Sequence, residues 1–311
     1  MRLSAFDCTA RGIANLRGNW ELALLQIAQM VVFWVLAAAA VAASVAATGA
    51  TFLLEMASPS DWTRALERLA GWSPSPGSMA VGAAALVIFS TLVALVYGWF
   101  QAGIFSTLER GERQAPPLPR ADWTVFRTFR WREFVGWSNR WIWRYFVFFG
   151  WFFVVTSVVL LFVALLGGAV AVALSRAGGA AAVALGCAAL FCVAGVVLGL
   201  VLWLGIAQAL LPREELGVLG ASRAAFGILR RRSPAATLIL LFFVLANLGV
   251  GLLFWPLSEG MSFAMDGFGA ASVAIQLLLG AAQMLAASIL TIAFYGSIVS
   301  LARAELGRRV A

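Results

Sequence analysis

The sequence predicts an all-α integral membrane protein with six transmembrane helices, and three observations lead to that fold class. Of the 311 residues, 62% are hydrophobic and only 12% are charged, whereas charged residues approach a quarter of an ordinary soluble domain. Six uncharged apolar runs each exceed the roughly 20 residues that a helix needs to cross a bilayer. The basic residues, all arginines, are concentrated in the segments between those runs.

The apolar runs predict six spans within one membrane domain that covers residues 1–311. The spans lie near residues 22–47, 79–105, 146–174, 180–211, 235–257 and 271–301. Because the outer connections are short, consecutive spans pair as three helical hairpins. No segment outside the spans reaches the size of a typical soluble domain.

Each hairpin follows a segment that predicts a short helix lying in the membrane interface. These segments are residues 4–17, 122–135 and 213–231. In the third, Glu214 and Glu215 follow Pro212, a pattern in which carboxylates cap the positive end of a helix. Between spans one and two, residues 61–70 predict a further short helix and 72–77 its terminating turn.

Orientation follows from the arginines, because cytoplasmic flanks retain an excess of Lys and Arg. The N-terminal arm, the segments after spans two and four, and the C-terminal tail hold 19 of the 22 basic residues. The opposite side holds only Arg64, Arg68 and Arg176. Both termini are therefore predicted to be cytoplasmic, in a bacterial inner membrane. The net charge of +8 is interpreted as a topology signal, not as a nucleic-acid footprint.

Residues 120–151 are unusually rich in tryptophan and arginine. Two interpretations stay open: an aromatic belt with arginines extended to the interface, or a site for lipid headgroups or phosphate made by guanidinium groups and indole faces. The candidate binding residues are Arg127, Arg130, Arg140, Arg144, Trp123, Trp137 and Trp141.

Polar side chains are scarce within the spans. The amides that could line a neutral pathway, or join helices by hydrogen bonds, are Gln208, Asn247, Gln276 and Gln283. Gln276 and Gln283 are seven residues apart and therefore share a helix face. Gly195 and Gly199 match the small-residue pattern of helix packing, either within the chain or in a homo-oligomer.

The residue types exclude several kinds of chemistry. The chain has no histidine and only three cysteines, two of which, Cys187 and Cys192, fall in one span on different helix faces. This pattern predicts no metal site, no disulfide framework, no cofactor and no catalytic residue.

Two motifs resemble those of a known group. One is residues 98–105 followed by Leu108-Glu109-Arg110-Gly111-Glu112 and a proline-rich turn; the other runs from Leu211-Pro212-Arg213-Glu214-Glu215 to the basic end of the next helix at residues 229–234. Together with the six spans, they resemble bacterial membrane proteins that include the membrane domain of some glycerophosphodiester phosphodiesterases. That resemblance implies the topology; the phosphodiesterase barrel has no counterpart here, so no catalytic residue carries over.

Three functional hypotheses are compatible with this sequence. The first is a non-enzymatic scaffold or accessory protein that binds membrane lipids, expected to be anionic, or a membrane-protein partner. The second is a transporter or permease-like component with a neutral polar pathway through the four amides. The third, a lipid-modifying enzyme, would depend on Arg, Glu and Tyr alone, with Glu214 and Glu215 as its first candidates.

Overall fold

The computed structural model describes residues 3–48, 75–116, 121–176, 179–264 and 270–310, and every regular element within these ranges is helical. The elements are α1 Ala5–Gly18, α2 Glu21–Thr48, α3 Pro76–Gln114, a 3-10 helix Trp123–Phe126, α4 Trp131–Arg176, α5 Gly179–Leu210, α6 Val218–Ala264 and α7 Ala270–Val310. The short helix predicted at 61–70 and most of the turn at 72–77 lie outside the described residues.

Helices α2 to α7 are long and apolar enough to cross a membrane, which confirms the multi-pass membrane protein. Each predicted span falls on one of them to within a residue. Several helices run well beyond the predicted span at the arginine-rich end; α3, for example, continues to Gln114. The helical backbone of this extension satisfies its own hydrogen bonds, and Glu109 and Arg113 pair one turn apart on it.

The first predicted interfacial segment is a helix, α1, and half of it is buried by protein. A capping box starts it: the Ser4 hydroxyl accepts from the Asp7 amide, and the Asp7 carboxylate accepts from the Ser4 amide. The buried face of α1 packs on α7. At the crossing, a Cβ added to Gly12 would lie 2.6 Å from the Ala293 carbonyl oxygen, so the two backbones are in direct contact.

A buried ion pair ties α1 to α3 and α7. Arg11 Nη2 lies 2.7 Å from Glu112 Oε2, and both side chains are almost fully buried. The Arg11 guanidinium also donates to the Pro116 carbonyl at 2.9 Å, and the Ser300 hydroxyl of α7 donates to the other oxygen of Glu112. A buried pair of this kind is tolerated only with such additional hydrogen bonds.

The second predicted interfacial helix, at 122–135, is wrong. Only the 3-10 helix Trp123–Phe126 forms there, and α4 starts separately at Trp131. The buried amide of Asn19, just after α1, explains the break. It accepts from the Thr128 and Phe129 amides at 2.9 and 2.7 Å and donates to the Phe126 carbonyl at 2.7 Å, which removes these groups from an α-helical ladder.

The third predicted segment begins later than expected. Residues 211–217 form turns, and α6 starts only at Val218, so Glu214 and Glu215 do not cap a helix. Arg144 of α4 donates to the carbonyls of Arg213 and Leu216 at 3.0 Å each, which fixes the turns. Helix α6 then kinks at Arg232, where φ and ψ are −125° and 22°, because Pro234 has no amide to donate and its ring disturbs the preceding turn.

The chain divides into two packed units: residues Met1–Ile27 with Gly98–Ala311, and residues Ala28–Tyr97. In the larger unit the buried core lies at the arginine-rich ends of the helices, with Phe105, Tyr145 and Leu210 fully buried. In the smaller unit, parts of α2 and α3 line a narrow apolar cleft that includes Phe33 and Val96.

The opposite halves of α4 and α5 carry large apolar side chains on their surface, such as Phe153 and Phe191. A Cβ added to Gly195 or Gly199 would meet no atom within 4 Å, so these glycines do not serve intramolecular packing in the described part of the chain. Such surfaces are stable in hydrocarbon, where apolar exposure costs nothing.

Candidate functional site

Four of the seven predicted binding residues come together on one face of α4. Trp137, Arg140, Trp141 and Arg144 are spaced three or four residues apart, and this spacing places them on neighbouring helix positions. The Arg140 guanidinium carbon lies 5.5 and 5.1 Å from the ring centres of Trp137 and Trp141, and that of Arg144 lies 4.4 Å from Trp141. These stacked contacts fix the arginines and the indoles relative to one another.

The other three predicted residues lie apart from that cluster. Arg127 follows the 3-10 helix and pairs with Glu21 at 3.2 Å. Arg130 is mostly exposed and lies 3.6 Å from Glu133. Trp123 is in the 3-10 helix and is partly exposed. For these residues the structure shows surface ion pairs and a partly exposed indole, and among the described residues they do not line the cavity that the α4 cluster borders.

Helix α3 supplies charged residues that the sequence analysis did not select. Glu109 is 5% exposed and accepts from Arg113 Nε at 2.8 Å. Arg213, from the turns after α5, places its Nε 3.6 Å from the same Glu109 oxygen. Two guanidinium groups therefore share one buried carboxylate. Burial lowers the pKa of Arg213 below its usual value, and Glu109 only partly opposes this change.

The turns at residues 211–217 complete the charged cluster. The Glu214 carboxylate accepts from Arg140 Nη2 at 2.6 Å, and Glu215 lies beside it. Arg110 of α3 pairs with Glu133 of α4 and lies 5.8 Å from the ring centre of Trp137. Arginine–glutamate ion pairs thus join α3 to α4 and α4 to the turns.

These residues enclose a cavity of about 250 Å³, which we call the polar cavity. Its lining comprises Ser106, Glu109, Arg110, Arg113, Trp137, Trp141, Pro212, Arg213, Glu214 and Glu215. The volume is slightly below the range of drug-sized pockets, so it accommodates a small polar group.

Three donors at the polar cavity lack a hydrogen-bond partner among the described residues. They are the Ser106 hydroxyl, the Trp141 indole nitrogen and Arg213 Nε. Ser106 and Trp141 are 5% and 4% exposed. A buried polar group without a partner costs about 1–3 kcal/mol, so these three atoms are candidates to bind an acceptor that enters the cavity.

The sequence contains the motifs that form this site, but their spacing alone did not identify them as parts of one site. Glu109 and Arg113 stand one helical turn apart, and Arg213, Glu214 and Glu215 are consecutive. Each motif carried part of the family resemblance. Local spacing could not show that the two motifs meet, because that contact depends on how α3 packs beside the end of α5.

The four predicted pathway amides are not brought together. Gln208 is buried at the core end of α5, whereas Asn247, Gln276 and Gln283 are exposed on α6 and α7. Asn247 donates to the Phe243 carbonyl of its own helix at 2.9 Å. No hydrogen bond joins any two of the four, all of which the structure describes.

No group of three or more His, Cys, Asp or Glu side chains suited to a metal occurs within the described ranges. Comparisons with protein-family models, with curated proteins and with solved structures found no match to this chain.

Proposed function

We propose that this protein is a non-enzymatic membrane scaffold or accessory protein that binds the phosphate of membrane lipids in the polar cavity. The observation that carries the proposal is the sharing of the buried Glu109 carboxylate by Arg113 and Arg213. Within salt-bridge distance each of these guanidinium groups has only that shared carboxylate among the described residues, and Ser106 and Trp141 of the same lining carry donors that lack partners. A phosphate supplies both the negative charge and several acceptor oxygens.

The proposal includes a membrane orientation. We infer that the three pairs of spans are hairpins and that the polar cavity faces the cytoplasmic leaflet of a bacterial inner membrane. The support is the excess of arginines, 19 against 3, on the side that carries Arg110, Arg113 and Arg213. In this orientation the cavity lies at the depth of lipid headgroups, and the exposed apolar helix surfaces lie in hydrocarbon.

An accessory role agrees with the resemblance to membrane domains that accompany a separate phosphodiesterase domain. In that interpretation the six spans bind and position a lipid or a membrane-protein partner and do not catalyse a reaction on it. A neutral transport pathway has less support, since Gln208 is buried while Gln276 and Gln283 are exposed.

The test is native mass spectrometry of the protein extracted with its lipids. Arg113→Gln and Arg213→Gln each leave Glu109 with one partner, so the fold should survive. Each variant should retain roughly one tenth of the phospholipid that the wild type retains. The matched control is Arg223→Gln, which removes an exposed arginine of α6 that does not line the cavity.

Two results would overturn the proposal. One is lipid retention that is unchanged in Arg113→Gln and Arg213→Gln. The other is an equal loss in Arg223→Gln, which would indicate a diffuse charge effect and no site. The unfolding temperature of each variant, measured in the same detergent, separates loss of lipid from loss of fold.

A further inference from the structure

The salt bridges around the polar cavity leave the Glu215 carboxylate without a direct partner. Arg110 pairs with Glu133, and Arg140 pairs with Glu214. Arg113 and Arg213 both form salt bridges with Glu109, and Glu215 acts on Arg213 as a second negative charge. Glu215 also lines the cavity, yet it forms no hydrogen bond or salt bridge with the described residues.

Two further donors belong to the lining that includes Arg113 and Arg213. The Ser106 hydroxyl and the Trp141 indole N–H, on side chains more than nine-tenths buried, lack hydrogen-bond partners within the described structure. This part of the wall is suited to the oxygens of a phosphate group.

Glu215 requires the opposite kind of ligand group. The exposed Glu215 carboxylate only accepts hydrogen bonds. It is suited to a primary ammonium, which has three N–H donors. A quaternary ammonium has none and is usually bound by open aromatic faces; here Arg140 and Arg144 already lie over the rings of Trp137 and Trp141.

We propose that the polar cavity selects a phospholipid whose headgroup carries both a phosphodiester and a primary ammonium, as in phosphatidylethanolamine. The phosphate lies on Arg113, Arg213 and the donors of Ser106 and Trp141, and the ammonium lies on Glu215. This selectivity rests on the lipid-binding function proposed above. It differs from the anionic preference expected from the arginines alone, because the structure places glutamates among them.

The experiment measures the binding of four probes to the 311-residue chain in detergent by native mass spectrometry. Three are dioleoyl lipids with the ethanolamine, choline or glycerol headgroup, and the fourth is soluble glycerophosphoethanolamine. The wild type should bind the ethanolamine lipid roughly tenfold more tightly than the other two lipids, as expected for one additional charged hydrogen-bonded contact. The soluble probe should bind much more weakly than the ethanolamine lipid, because it lacks the acyl chains that a lipid keeps in contact with the protein outside the cavity.

The variants separate this inference from the function on which it rests. Glu215→Gln should remove the preference for ethanolamine and leave binding of the glycerol lipid unchanged. Arg213→Gln should weaken all three lipids. Glu21→Gln is the control, because it removes an acid that pairs with Arg127 and does not line the cavity.

Each contrary result has a distinct meaning. Equal or tighter binding of the glycerol lipid by the wild type, with no effect of Glu215→Gln, overturns the selectivity and leaves phosphate binding intact. Binding of the soluble probe as tightly as the lipid overturns a membrane source for the ligand. Binding of every lipid unchanged in Arg213→Gln overturns the selectivity and the proposed function together.

Discussion

The thiol of Cys8 lies on the buried face of α1 and should be chemically inert. Burial, assisted by the nearby Glu112 carboxylate, raises the pKa of the Cys8 thiol from 9.0 to about 12. Because the thiolate is the reactive species, a shift of this size lowers its fraction about a thousandfold near neutral pH. We therefore expect a maleimide to label Cys8 at pH 8 far more slowly in the folded protein than in denaturant.

The measurement uses a background with Cys187→Ala and Cys192→Ala, so that Cys8 is the remaining thiol. Similar labelling rates with and without denaturant would contradict the burial of Cys8. The same shift affects stability. Between pH 9 and about 12 the unfolded chain loses the thiol proton while the folded chain keeps it, so this group lowers the free energy of unfolding as pH rises. Below pH 9 its contribution does not change.

The arginines and tryptophans on α4 show which residues of the candidate site a sequence can identify. Arg140, Arg144, Trp137 and Trp141 could be selected because their spacing places them on one helix face. Glu109 could not, since a glutamate next to an arginine is equally compatible with a solvated surface pair. Its role depends on its burial and on Arg213, a partner from a distant part of the chain.

At the scale of elements, the crossing of α1 and α7 depends on glycine. A Cβ added at Gly12 would overlap the α7 backbone at Ser297 and Ala293. Gly12→Ala should therefore destabilise the protein by about 1–3 kcal/mol, measured as a lower unfolding temperature in detergent.

Gly136 of α4 provides the matched control, because an added Cβ there meets no atom within 4 Å. Gly136→Ala should be neutral or stabilise by up to about 1 kcal/mol, since alanine has the better helix propensity. Equal effects of the two substitutions would show that α1 does not pack closely on α7.

The long helices could be predicted from sequence, while the short ones were predicted less well. A span is predicted from apolar length alone, and each predicted span falls on one of the long helices. The segment at 122–135 was predicted as a helix and is not one, because the Asn19 amide binds the backbone of residues 126–129. A single buried amide elsewhere in the chain thus decided the local structure, and the hydrophobic pattern of the segment itself does not reveal this contact.

For the whole molecule, the arginine distribution predicts which ends of the helices face the cytoplasm. We expect Ser75→Cys, placed in a background without native cysteines, to react with a membrane-impermeant maleimide in intact spheroplasts. Gly217→Cys should react only after the membrane is opened. Both positions are exposed in the structure, so accessibility reports the side of the membrane. Labelling of Gly217→Cys from outside would reverse the proposed orientation.

The ion pair of Arg11 and Glu112, together with Ser300, has a consequence for the synthesis of the protein. Arg11 is synthesised before Glu112, and the hydroxyl that completes the set belongs to α7. Until α7 is made, α1 lacks the helix against which it packs. The pairing of α1 with α7 is therefore a late step, which follows the synthesis of all the intervening helices.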